Sequence, residues 1–372
     1  MAEPGGGSRS PGASVRPAHS DASADARRPA DQRIRAAFVT ACRLDVDTPK
    51  PGNVSADSEG HGMSAAQFIA SAEAAADALL APGAPVGQRL LDAVTRTRAT
   101  VGCNTNLGIL LLVAPLAAAL EEAARPLSAQ TWQAATERVL ARLDIEDARL
   151  AYRAIGLANP GGLGDAPEQS VHDAPTVGLR NAMVLAAGRD SIARQYAEGF
   201  RDIFETGLAA LRELTAGQPG TAAPSAAAAT AFVAGRVAAR VTAPAAASNN
   251  TPDTARATTP DAALATTQAA ALNVFLTFLA AWPDSHILRK YGAAVAHSVT
   301  LAARAQHAHW RSALRETGPA AARAPLDVWD AELKAAAINP GTSADLTVAT
   351  LFVALCLDES GNASATERAP EA

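Results

Sequence analysis

Five short polar islands hold most of the residues in this chain that could do chemistry. They are "TPKPGNVS" from Thr48 to Ser55, "GCNTNLG" from Gly102 to Gly108, "NPGGLGDAPEQSVHD" from Asn159 to Asp173, "PDSHILRK" from Pro283 to Lys290 and "NPGTSADL" from Asn339 to Leu346. Each joins Pro or Gly, which interrupt a helix or let a ligand approach the backbone, to Asn, Thr, Ser or Asp side chains that form hydrogen bonds. Helix capping accounts for any one island, because Asn, Asp, Ser and Thr are the ordinary N-caps and Gly the ordinary stop. Capping does not require the charges that several islands add: Lys50, His172 with Asp173, Asp284 with His286 and Arg289, and Asp345. A helix N-terminus presents unpaired N–H groups that attract anions, so a chain that gathers such ends beside cations suits a phosphate-rich ligand.

Other chemistries fit the sequence less well. No G-x-x-x-x-G-K-[ST] loop is present, and no G-x-G-x-x-G opens a helix after a strand pattern. Asp190 has Arg194 four residues on and reads as half of a surface ion pair. His297, His307 and His309 have no carboxylate pattern that would make them zinc ligands. Lys and Arg total 32 against 37 acids, a formal charge of −5, which gives no basic footprint for nucleic acid. The 3 cysteines are far apart and odd in number, which argues against a disulfide framework or a thiolate zinc site and fits a reducing cytoplasm.

The elements that must position the islands are helical. Ala is abundant, aromatic residues are 4% and no segment alternates with a period of two, so the expectation is an all-α fold. Apolar residues at helical spacing predict helices over "DQRIRAAFVTACRLDV", over "SAAQFIASAEAAADALL" with Ser64 as N-cap, over "GQRLLDAVTRTRATV", and on through the chain. The long stretch from Gly178 to Leu214 is expected to break near Arg189. The run from Leu107 to Leu120 is short for a bilayer and carries Pro115, so it reads as a buried core helix and no membrane is expected. The first 30 residues lack an apolar signal-peptide core and read as a disordered tail; residues 359–372 read likewise. Low-complexity residues 217–260 read as an insertion, in which "ATAFVAGRVAARV" could be helical, within one domain spanning 31–358.

Taken in order, "TPKPGNVS", "GCNTNLGILLL", "DSHILRKYG" and "NPGTSADLTVATLF" resemble the triphosphoribosyl-dephospho-CoA synthase family, over most of the chain from about Arg33 to Asp358. The resemblance implies a transferase that moves the 5-triphosphoribosyl group of ATP to a hydroxyl of dephospho-CoA and releases adenine. The product is the precursor of a prosthetic group on an acyl carrier protein. It implies Mg2+ with ATP, Asp345 and Asp284 at the metal or the sugar, and Lys50, Arg289 and Lys290 at phosphates. Gly52 and Asn53 would make close contacts in a substrate loop, Asn104, Thr105 and Asn106 would meet the nucleotide, and His286, Asn339, Gly341 and Ser343 would complete the binding set. The chain carries Asn106 and Leu107 where better-known members have His-Lys, "EGHGM" where they have Gly-Ala-His-x-Asp-Met, and "NPGTSADL" where they have Ser-Pro-Gly-Gly-Ser-Ala-Asp-Leu. It resembles a divergent branch associated with tetrahydromethanopterin-linked one-carbon metabolism, whose acceptor could differ. A nucleotide or N-glycoside hydrolase using the same carboxylates, and a helical scaffold without activity, stand as alternatives.

Overall fold

The computed structural model describes residues 22–56, 63–161, 168–215 and 259–366, and among them it is helical with no strands. The helices are α1 (Ala22–Asp47), α2 (Ala65–Leu79), α3 (Val86–Val101), α4 (Leu107–Glu122), α5 (Ala129–Arg142), α6 (Ile145–Ala158), α7 (Leu179–Ala186), α8 (Ser191–Ala197), α9 (Leu208–Thr215), α10 (Thr259–Ala281), α11 (Ser285–Tyr291), α12 (Ala293–Thr317), α13 (Pro319–Ala335) and α14 (Gly341–Thr366). Most of the predicted insertion lies outside the described residues. Residues 22–30 and 359–366, within the stretches expected as tails, are helical as the ends of α1 and α14, and the rest of those stretches lies outside the described residues.

Local sequence sets the helix ends. Ser64, Ser128 and Asp144 each form a capping box, with Gln67, Thr131 and Asp147. The stretch after Gly178 breaks at Arg189 as expected and again at Gly199 and Phe200, whose φ values of 64° and 59° end α8 in the left-handed region. A π-helical turn, Asp202–Gly207, follows, and at Gly207 an added Cβ would collide with Thr350 of α14. Inside α4, Pro115 cannot donate to the Leu111 carbonyl; the Tyr196 hydroxyl does so instead at 2.7 Å, so the buried helix keeps its bonding complete.

Two apolar cores hold the array together. The larger collects α1 to α9 and α14 around Phe38, Leu112, Trp132 and Phe352; the smaller joins α10 to α13 around Phe275, Trp310 and Trp329. Helix α10 carries apolar residues on opposite faces. It turns Ala271, Val274 and Phe278 to the larger core and Leu272, Phe275 and Leu279 to the smaller. Its window Leu264–Ala281 is long and apolar enough to cross a membrane by length and composition, and that apolarity is explained here by packing on both sides. The predicted core helix over Leu107–Leu120 is α4, buried along most of its length. Helix α1 packs against α2 and α14, which places the end of α1 beside the start of α14.

His307 on α12 meets the buried Asn273 of α10 at 2.8 Å, and burial lowers its pKa to about 4. Asn273 donates its own N–H to the Ala210 carbonyl, so its oxygen faces the ring and accepts from His307 Nε2–H. The folded pKa lies below the unfolded value, so this contribution is full above the ordinary histidine range and is lost as pH falls through about 4. Thermal stability should therefore drop between about pH 6.5 and 4. The drop should shrink in His307→Gln; an unchanged slope in that variant would remove His307 as its source.

Candidate active site: helix ends around a cavity

A cavity of about 910 Å³ opens between helices of the larger core and the first turns of α11 and α14. Its lining is of two kinds. Asp45, Asn53, Asp190, Arg289, Asn339 and Asp345 make a polar part, together with the α4 entry at Asn104 to Gly108, whereas Met63, Phe68, Ile155, Leu179 and Met183 make an apolar part. That combination of apolar walls with few convergent polar groups is what small-molecule sites commonly show.

The loop after α1 and the loop before α14 are joined directly. Asn53 donates its side-chain N–H to Asn339 at 2.9 Å, and the Gly52 N–H donates to Asp330 at 2.8 Å. Gly52 has φ 78°, and a Cβ there would lie 2.9 Å from the Ile338 carbonyl, so only glycine fits this turn. Lys50 points inward and is 1% exposed. Its ammonium donates to the carbonyls of Asp45 and Thr48 and lies 3.1 Å from Asp45 Oδ1.

Helix α4 enters the cavity at Asn106, whose own side chain does not cap it; the Asn104 side-chain oxygen accepts from the Leu107 N–H at 3.1 Å, and the N-terminal end of the helix dipole is directed at the cavity. The Asp345 carboxylate lies on the first turn of α4 against Gly108, at the point a Cβ would occupy. No hydrogen bond to the Asp345 side chain forms among the described residues. Its pKa is raised well above the usual carboxylate range, first by burial and then by Asp45 and Asp284, with Arg289 opposing and Asp190 adding. Burial also pushes Asp45 up and Lys50 down, and the contact between the two restrains both. The Cys42 thiol is pushed far up by burial with Asp45 and Asp345, and is inert. Gly108→Ala should displace the Asp345 carboxylate and lower turnover by about tenfold or more while leaving a soluble fold, as expected of a small misplacement at a reacting centre. Wild-type turnover in that variant would show that the position of Asp345 is immaterial.

Of the residues proposed from sequence, Asn53, Asn104, Thr105, Asn106, His286, Arg289, Asn339, Gly341 and Asp345 line this one cavity. Lys50, Gly52, Asp284, Lys290 and Ser343 are not in its lining. Lys50 is buried rather than solvated, because the carbonyls at the end of α1 take its donors. Asp284 is 2% exposed and fully engaged. Its Oδ1 accepts from the N–H groups of His286 and Ile287, and its Oδ2 from the N–H and hydroxyl of Ser343, so it fastens α11 to α14. Lys290 is exposed and lies over the Tyr291 ring.

The expected Asp190–Arg194 ion pair does not form. Asp190 is the N-cap of α8, which turns its carboxylate back to the amides of Ile192 and Ala193 and toward Arg289 at 2.6 Å. Arg194 instead pairs with Asp202 and stacks over Trp282.

Sequence reasoning missed Asp190, read as a surface ion pair, and also Asp45. The signal of Asp45 was its position, since an acid in the last turn of a helix opposes the macrodipole and is ordinarily disfavoured there.

An all-α array whose helix ends converge on a partly acidic, partly apolar cavity has the form of a small-molecule site. The chain belongs to the ATP:dephospho-CoA triphosphoribosyl transferase family, whose model matches residues 31–235 and 243–364. Among solved structures it is similar to a chain from Archaeoglobus fulgidus described as a triphosphoribosyl-dephospho-CoA synthase. The two share 21% identity at a TM-score of 0.49, over 78% of this chain and 97% of that one. No curated protein matches it.

Proposed function

We propose that this transferase moves the 5-triphosphoribosyl group of ATP to a hydroxyl of dephospho-CoA or a related acceptor and releases adenine. The single observation that carries the reading is the convergence of the α4 N-terminus, the first turn of α14 and Arg289 on one cavity that also holds Asp45 and Asp345. Helix N-termini and a guanidinium suit a triphosphate, and the carboxylates suit a sugar that becomes cationic as its glycosidic bond breaks. The acceptor oxygen bonds to C1' of the ribose as the bond from C1' to adenine breaks with its electron pair. The hydroxyl proton passes, by way of a cavity carboxylate, to the departing adenine.

The residues present fit Mg2+. Asp345 accepts no hydrogen bond, Asp45 faces the same cavity with its Oδ1 3.1 Å from the Lys50 ammonium, and the charge of Asp45 raises the energy of the charge on Asp345. No group of three or more His, Cys, Asp or Glu suited to a metal occurs among the described residues, so the ion would rest on Asp45 and Asp345 with the triphosphate and water. When bound, Mg2+ supplies charge neutralisation to the triphosphate. Asp284, expected as its second ligand, has no free oxygen for it.

The test is incubation with ATP, Mg2+ and dephospho-CoA, followed by mass spectrometry. Free adenine with a triphosphoribosyl adduct is the expected result. Free triphosphoribose would indicate hydrolysis instead, adduct formation only with a pterin acceptor would reassign the acceptor, and no turnover would leave the scaffold reading.

A further inference from the structure

We propose that Lys50 is a positioning residue: a built-in counter-cation that closes the end of α1 and aims the Asp45 carboxylate at the cavity without touching substrate. This rests on the reading of the cavity given above, because Asp45 matters only if the cavity is used. An ammonium has three donors and no acceptor. In Lys50 two of them go to the Asp45 and Thr48 carbonyls, the ammonium is ion-paired with Asp45 Oδ1 at 3.1 Å, and the side chain stands outside the cavity lining where a phosphate would sit.

The partners are instructive because all of them sit at the end of α1 or in the residue that follows it. The last carbonyls of a helix lack N–H partners, and a cation there satisfies them and favours the dipole. One side chain therefore ends the helix and holds the carboxylate that the helix presents. The rest of the surroundings agree. Asp45 and Lys50 are 7% and 0% exposed in their side chains, and the neighbouring Thr48 and Ser55 hydroxyls are buried without hydrogen bonds. Lys334, held by Asp330, and Asp47 are the other charges that act on Lys50. A buried pair of this kind contributes little net stability compared with an apolar pair of the same shape, so its retention at a cavity is explained by what it holds in place.

The inference separates a positioning Lys from a phosphate ligand by a cycle of variants: Lys50→Met, Lys50→Arg, Asp45→Asn and the double variant Lys50→Met with Asp45→Asn. Lys50→Met should lower kcat by about 30-fold or more while KM for ATP changes less than about threefold, whereas a lost phosphate contact would raise KM about tenfold or more. Lys50→Met should also lose thermal stability by leaving Asp45 unpaired, and adding Asp45→Asn should restore it. In calorimetry the double variant should bind ATP as Asp45→Asn does, and Lys50→Arg should recover part of kcat. If Lys50→Met fails to fold, the comparison of the double variant with Asp45→Asn still decides. Binding at least tenfold weaker in the double variant, or a rise in KM alone in Lys50→Met, overturns the proposal. A wild-type chain without transferase activity would sink the functional reading, while the stability cycle would still test Lys50: additive losses would count against it.

Discussion

Asp345→Asn should reduce triphosphoribosyl transfer by at least about a hundredfold, the scale of losing one preorganised electrostatic group, and at the same time make the protein more stable. The two effects have one origin. Asp345 takes a proton more readily in the fold than in the unfolded chain, because burial and the charges of Asp45 and Asp284 oppose its ionisation more than Arg289 favours it. A carboxyl group shifted upward in this way favours folding on the acid side and loses that contribution as pH rises through its folded value. At neutral pH this carboxyl group is therefore a burden on the native state, which Asn of the same shape removes. Adenine release and thermal unfolding measured on one preparation test this. An acid that merely improved the first turn of α14 through the macrodipole would give the opposite pattern, lower stability with near-normal turnover.

The second large effect falls on folding. Asp284→Ala should lower stability by about 3 kcal/mol or more, since each buried donor left without a partner costs about 1 to 3 kcal/mol. The donors are the His286, Ile287 and Ser343 N–H groups and the Ser343 hydroxyl. His286 keeps the Thr342 hydroxyl as a weaker alternative at 3.2 Å, which limits the loss at that position. Asp284→Asn retains one acceptor oxygen and should fall between. Urea unfolding measures the loss, and turnover at low temperature measures what the folded fraction can still do. A fully stable Asp284→Ala protein without turnover would return Asp284 to the reacting centre.

Much of the helical frame was legible because its signals are local. Ser64 and Asp284 cap the helices that follow them, and the apolar run of α4 has one reading once Pro115 and its length are weighed. The order of the islands carried the family, and nine of the proposed residues meet at one cavity. What could not be read was the direction of individual side chains. Lys50 and Lys290 are both cations in loops or at helix ends, yet one is sealed under α1 and the other is exposed. Asp284 and Asp345 both stand near the starts of helices. The first turns to the α14 amides, and the second projects over the bare backbone of Gly108 into the cavity. Those differences depend on which helix lies opposite, and that is set by packing between segments far apart in sequence. Asp190 shows the same limit: its partner Arg289 comes from another helix, while the nearer Arg194 serves Asp202.

The pairing of α1 with α14 has a consequence for how the enzyme is made. Asp45 leaves the first described helix and Asp345 enters the last, so nearly the whole chain separates them in sequence. Contacts of such long range form late, after the loop between them has been closed. During synthesis the N-terminal half can collapse around α2, α3 and α6 while the ribosome is still adding residues. Its α1 face remains uncovered until the final segment arrives. A chain stalled before Gly341 therefore has neither its second carboxylate nor the cover for that face. The cavity can gain its paired carboxylates only once both ends of this long separation have been made.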